Sequence, residues 1–190
     1  MLVDTIGIAL DLGHHFDALG VVWLVGGSVA SSLLGEPRAT DDVDLVADLR
    51  LQHIEPFCAR LGDTYYVDQD VVRWAVKTRR TFNVIHFEST IKVDIYCSTN
   101  DPLSRMQLDR RLFIPIEGER IPVYSAEDII LRKLLWFEQG ERVSDRQWRD
   151  LLGVVRVRRG QLDLDYLREH AQDLGLGELL AKLHEAAEAV

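Results

Sequence analysis

Up to about Ser125, short apolar runs of two-residue period alternate with stretches of helical period, and beyond it every apolar pattern is helical. A chain built this way must pair its short strands into one sheet and cover them with helices. The helices after Ser125 must then bury their own apolar stripes. The fold class expected is α/β (α+β): a small mixed β-sheet flanked by helices over residues 1–124, then a helical subdomain over 125–190. No Gly/Ser/Pro-rich linker divides these parts. The helical part is therefore expected to pack on the core as one cooperative unit and to form one wall of the functional cleft.

Within the first part the pattern predicts a helix over 4–19, a strand over 21–25 ending in Gly-Gly, and a short helix over 28–34 closed by Gly35. A strand at 42–47, a helix at 50–61, a strand-like piece at 64–67 and a helix at 70–79 follow. Strands 82–88 and 91–97 can pair across the Glu88 to Thr90 turn. Leu112 to Ile116 and Arg120 to Tyr124 suggest a hairpin around Glu117-Gly118-Glu119. Ser125 and Ser144 open the next two helices, the second with the Ser-x-x-Gln pattern of a capping box, and helices over 163–174 and 176–188 complete the chain.

Composition narrows the partners. With 190 residues, 47% of them apolar, the chain can close a substantial core. Its longest apolar stretch, Leu19 to Ala30, is interrupted by Gly26, Gly27 and Ser28, so no membrane span is expected. No basic leader precedes an apolar run at Met1-Leu2-Val3-Asp4, so a cytoplasmic protein without a signal peptide is expected. The net charge of −9 opposes general nucleic-acid binding. The basic runs Arg73, Lys77, Arg79, Arg80 and Arg156, Arg158, Arg159 read as solvated helix faces. Cys58 and Cys97 lack any ligand-like spacing and read as buried thiols.

The chemistry concentrates in two strands. Along Asp42-Val43-Asp44-Leu45-Val46, both carboxylates project from one face while Val43 and Leu45 point to the core. Along Ile91 to Cys97, alternation buries Ile91, Val93, Ile95 and Cys97 and leaves Lys92, Asp94 and Tyr96 opposite. If the strands are neighbours, Asp42, Asp44 and Asp94 form a cluster whose mutual repulsion calls for a cation. Hard oxygen ligands favour Mg²⁺ or Mn²⁺. Three carboxylates can hold two ions about 3.5–4 Å apart for an in-line displacement at phosphorus. Asp94 can also take a proton from an attacking hydroxyl.

Upstream, Val21 to Val25 runs into Gly26-Gly27-Ser28, a strand, a glycine turn and a helix start that let backbone N–H groups approach a phosphate. This turn, 13 intervening residues, Asp42-Val43-Asp44 and the later Asp94 together resemble the signature of the polymerase-β-like nucleotidyltransferases. That resemblance implies a nucleotidyltransferase core in which Gly26, Gly27 and Ser28 hold a nucleoside triphosphate, Asp42 and Asp44 bind both metal ions and Asp94 the catalytic one. The turn departs from the family pattern in reading Gly-Gly-Ser. More narrowly, Arg38-Ala39-Thr40-Asp41-Asp42-Val43-Asp44 is similar to the corresponding stretch of the AbiEii-type nucleotidyltransferases, toxins of toxin–antitoxin pairs. Ser125 to Lys133 and Arg146 to Asp150 resemble their C-terminal helices. An antitoxin protein is then an implied partner.

On a helical wheel of about 100° per residue, Lys133 falls among Ala126, Ile129, Ile130, Trp136 and Phe137. A lysine there snorkels, pairs with a buried carboxylate or reaches an anionic ligand. Because the AbiEii-type proteins carry a lysine in this helix, contact with the triphosphate is the reading taken, and Arg38 is a second candidate. Asp150, at the edge of an apolar helix face, suits a salt bridge at least as well as catalysis. Trp23, Trp74, Trp136 and Trp148 read as core or subdomain contacts. His14 and His15, about 100° apart on a helix, cannot jointly hold a metal.

The function expected is metal-dependent transfer of a nucleoside monophosphate from a nucleoside triphosphate to an acceptor hydroxyl, releasing pyrophosphate. The acceptor stays open among RNA such as tRNA, a protein side chain and a small antibiotic-like alcohol. The alternative is a catalytically inactive nucleotidyltransferase fold that binds a nucleotide or a partner protein.

Overall fold

Val43, Leu45 and Ala47 are fully buried while Asp44 and Val46 between them are half exposed. The two-residue period thus sets one face of strand β2 (Val43–Ala47) into the core and keeps the other accessible. The same alternation runs along β4 (Thr81–His86), which buries Phe82 and Val84, and along β5 (Lys92–Cys97), which buries Val93, Ile95 and Cys97. These strands belong to a computed structural model that describes residues 2–40, 42–116 and 118–189, with side chains from Thr5 onward.

Among the described residues the strands form one seven-stranded mixed sheet. With β1 (Trp23–Val25), β3 (Tyr65–Tyr66), β6 (Leu112–Ile116) and β7 (Glu119–Val123), its order is β3-β4-β5-β2-β1-β7-β6. Strand β2 runs antiparallel to β1 and parallel to β5, which pairs antiparallel with β4. The predicted pairing of β4 with β5, and the hairpin of β6 with β7, are both present. Glu117 of the hairpin turn, and Asp41 ahead of β2, lie outside the described residues.

The helices are α1 (Leu2–Asp17), α2 (Gly27–Leu34), α3 (Ile54–Leu61), α4 (Gln69–Thr78), α5 (Pro102–Asp109), α6 (Ala126–Gln139), α7 (Asp145–Val157), α8 (Leu164–Asp173) and α9 (Gly177–Glu188). None is long and apolar enough to cross a membrane. Chain contacts divide the molecule into two compact units, Met1–Val29 with Ala39–Tyr124, and Ala30–Arg38 with Ser125–Val190. Residues 30–38 thus group with the C-terminal helices.

In the sheet-bearing unit, Phe16 of α1 stacks on Phe57 of α3 with ring centroids 5.0 Å apart, and Phe57 meets Phe82 of β4 edge-on at 6.3 Å. All three rings are buried against the apolar face of the sheet. Each such side chain contributes about 1.5–3 kcal/mol of burial. Helix α4 starts at Asp68, whose carboxylate accepts from the N–H groups of Asp70 and Val71, and ends at Arg79 in the left-handed region, φ 53. Arg79 is not part of a solvated face, because its guanidinium donates to the carbonyls of Leu49 and Ser98 at 3.2 and 3.0 Å. Trp74 is likewise corrected from the expected core or subdomain contact. Helix α4 turns Val72, Ala75 and Val76 inward and leaves Trp74 56% exposed. Helix α5 was not expected, although its start is explicit: Asp101 accepts from Ser104 N–H at 2.9 Å and Pro102 opens the first turn.

In the second unit, Ser125 and Ser144 cap α6 and α7 as expected, accepting from the N–H groups of Asp128 and Gln147. Asp128 is fully buried and accepts from the hydroxyls of Ser125 and Tyr166 at 2.9 and 2.7 Å. Glu127 accepts from the N–H of Asp163, the residue that caps α8. Segment 30–38 is tied to α7 where Arg158 Nε donates to the Leu34 carbonyl at 3.0 Å. Gly35 lies so close to α7 that a Cβ there would sit 2.7 Å from the Val154 nitrogen.

Candidate active site

Strand β1 delivers the glycine turn and β2 the carboxylates, and their antiparallel pairing sets Val25 opposite Leu45. The Gly26 N–H extends the ladder by donating to the Asp44 carbonyl at 2.8 Å. Gly27 then takes φ +52 and begins α2, with Ser28 half exposed in its first turn. A Cβ on Gly27 would fall 1.7 Å from Asp44 Oδ2. Both the backbone conformation and the space claimed by the Asp44 carboxylate therefore require glycine.

On the other side of β2, the parallel ladder with β5 pairs Asp44 directly with Asp94, and Val43 with Val93. The buried valines fix that register, since a slip by one residue would turn both aspartates inward. Asp42, exposed just before β2, receives the Thr40 hydroxyl on its carbonyl at 3.3 Å. The sequence-predicted neighbourhood of Asp44 and Asp94 is thus present in the sheet.

Two groups flank the carboxylates that sequence reasoning placed on this face without giving them a role. Lys92 Nζ lies 2.9 Å from Asp94 Oδ2, and this hydrogen bond, with the charges of Asp94, Asp42 and Asp44, holds the ammonium above the usual lysine range. Tyr96 bonds to Asp44. Burial, with the charges of Asp44 and Asp94, pushes its hydroxyl well above the normal tyrosine value. Both were readable as i−2 and i+2 neighbours of Asp94 on an alternating strand. Among the described residues no three His, Cys, Asp or Glu side chains converge closely enough to hold a metal ion as they stand. The donor set is nonetheless all carboxylate oxygen, the type that Mg²⁺ and Mn²⁺ take, and Gly27 leaves room for Asp44 at the head of α2.

In the second unit, Lys133 is 3% exposed and its Nζ donates to Asp150 Oδ2 at 2.7 Å. Arg38 approaches the same carboxylate in a fork, Nε to Oδ1 at 2.8 Å and Nη2 to Oδ2 at 3.0 Å. Burial alone would raise the Asp150 carboxyl, but the hydrogen bonds and charges of Arg38 and Lys133 outweigh it and hold the group below the usual aspartate value. Of the alternatives open to Lys133 from sequence, this arrangement supplies the carboxylate partner. It also gives Arg38 and Asp150 a common place.

The family model described as "Nucleotidyl transferase AbiEii toxin, Type IV TA system" matches residues 12–185. No curated protein matches this sequence. Among solved structures, the fold is similar to the antibiotic-resistance factor ANT(2'')-Ia, with a TM-score of 0.60 and 15% identity over 99% of this chain and 97% of that one. It is also similar to the lincosamide antibiotic adenylyltransferase LnuA in its lincomycin-bound form, TM-score 0.53 and 18% identity, covering 81% and 96%. A third is an antigenic nucleotidyltransferase-like protein from Paracoccidioides brasiliensis, TM-score 0.52 and 18% identity, covering 91% and 90%.

Proposed function

This chain belongs to the AbiEii family of nucleotidyltransferases, and from that premise we propose that it transfers a nucleoside monophosphate from a nucleoside triphosphate to an acceptor hydroxyl. The observation that carries the reading is the in-register pair Asp44 and Asp94, set beside a glycine turn that opens a helix. Asp42, Asp44 and Asp94 are the residues proposed to hold Mg²⁺ or Mn²⁺. A bound divalent ion would neutralise charge on the phosphates and on the leaving oxygen. The N–H groups at the head of α2, with Gly26, Gly27 and Ser28, suit the anionic tail of the nucleotide.

In the proposed step the acceptor oxygen forms a bond to the α-phosphorus. The bond from that phosphorus to the bridging oxygen breaks, and pyrophosphate leaves with the electron pair. Asp94 takes the acceptor proton. Tyr96, hydrogen-bonded to Asp44, fixes that carboxylate's orientation. Two solved relatives in fold carry antibiotic names, lincosamide for one and adenylyl-2''-tobramycin for the other, while the family description names a toxin. The acceptor classes to be tested are therefore RNA, protein and antibiotic-like alcohols, with an antitoxin as the partner the toxin reading requires.

Incubation with each labelled nucleoside triphosphate, Mg²⁺ and a cell extract is expected to label one macromolecular or small-molecule fraction and release pyrophosphate. Nucleotide binding without label or pyrophosphate in any fraction would instead identify a binding protein on this fold. Gly27→Ala sharpens the test. Its Cβ displaces the Asp44 carboxylate, so transfer should fall about tenfold to a hundredfold, as when a ligand loses its orientation. Gly175→Ala, with φ +71 and nothing near its Cβ, also places a side chain at positive φ but displaces no carboxylate, and should leave transfer unchanged.

A further inference from the structure

The carboxylate face of the sheet carries a cation of its own. Lys92 and Asp94 are two residues apart on β5, so they share a face, and the ammonium rests 2.9 Å from Asp94 Oδ2. The ladder pairs Asp94 with Asp44, and two residues earlier in the chain, beyond the buried pair Val43 and Val93, stand Lys92 and Asp42. This end of the two strands thus carries three carboxylates, Asp44 and Asp94 on one rung and Asp42 just ahead of β2, and one ammonium, which leaves two negative charges to be matched. A lysine so placed cannot be excluded from the cluster, because its stem starts within it. A cation seeking Asp94 must either displace it or share that carboxylate with it.

We propose that Lys92 stands in for one of the two cations such a carboxylate cluster would otherwise hold, so that the site takes up a single divalent ion. The inference rests on the reading of Asp42, Asp44 and Asp94 as metal ligands, and it assigns to Lys92 the charge of the second ion at Asp94. One divalent ion balances the two remaining negative charges. A second would have to bring like charge against the ammonium at a few ångströms.

The experiment is a Mn²⁺ titration of the full chain, followed by electron paramagnetic resonance, with a non-hydrolysable nucleoside triphosphate analogue and the contribution of the analogue alone subtracted. One ion per chain is expected for the wild type and for Lys92→Arg, and two for Lys92→Met. Lys92 is about half exposed, so Lys92→Met should fold, which circular dichroism checks. Two ions on the wild type, or one on a folded Lys92→Met, would overturn the assignment while leaving the metal reading intact. No uptake, or uptake that Asp44→Asn does not weaken, would overturn both.

Discussion

Asp94→Asn is expected to lower nucleotide transfer by on the order of a thousandfold, because it removes the group that accepts the acceptor proton and one ligand of the proposed ion. Asp44→Asn should act as strongly, since Asp44 lies level with Asp94 across the parallel ladder and its carboxylate occupies the space that Gly27 leaves. Neither change should unfold the protein. Both side chains lie on the accessible face of the sheet, and the buried valines and isoleucines on the opposite face set the strand register. In Asp94→Asn the Lys92 ammonium loses its charged partner at a half-exposed position, a loss within about 1 kcal/mol. Pyrophosphate release and thermal midpoint measured on the same preparations separate the two effects. More than a few per cent of wild-type transfer in either variant would move the catalytic centre elsewhere.

The carboxylate strands were legible in the sequence because a two-residue period is a local signal. Val43, Leu45, Val93 and Ile95 announce the buried face, and the aspartates between them must then share the other. The glycine turn was legible for a related reason, since a strand ending in Gly-Gly before a helix demands close backbone approach, and Gly27 provides it. What the alternation could not supply was the neighbour. That β5 rather than β4 lies beside β2 depends on pairing between residues about 50 positions apart, and no local pattern encodes it.

Other misses divide the same way. Helix α5 has a local signature, Asp101 followed by Pro102, and went unrecognised because its single apolar stripe is short. Trp74 reads as a core or subdomain contact from its residue type, whereas its helix turns Val72, Ala75 and Val76 inward and leaves Trp74 exposed. By contrast, the grouping of residues 30–38 with the C-terminal helices was not available locally. It depends on contacts such as Arg158 with the Leu34 carbonyl, 124 positions apart in the chain. Lys133 stood between the two cases. Its wheel position announced a buried cation in need of an anion, while the identity of that anion lay in another helix, 17 residues on.

That anion sets the largest expected effect on stability. Asp150→Ala removes the carboxylate on which Arg38 and Lys133 converge, and the Lys133 ammonium, 3% exposed, loses that charged partner. Breaking a buried pair from one side costs about 3–5 kcal/mol, and that is the destabilisation expected at neutral pH. Lys133→Met should cost much less, because the apolar stem is kept and Asp150 retains its fork from Arg38. The double variant should therefore be more stable than Asp150→Ala alone, a non-additivity that a mutant cycle reads directly. The pH dependence has a fixed sign. Asp150 is held below its unfolded value, near 3.9, so its contribution is fully present above that value and is lost as pH falls through the folded one. Urea midpoints of wild type and Asp150→Ala should accordingly differ by a constant amount from neutral pH down to about 4 and converge below it. A gap that is already closed at neutral pH would show that the two cations do not depend on Asp150.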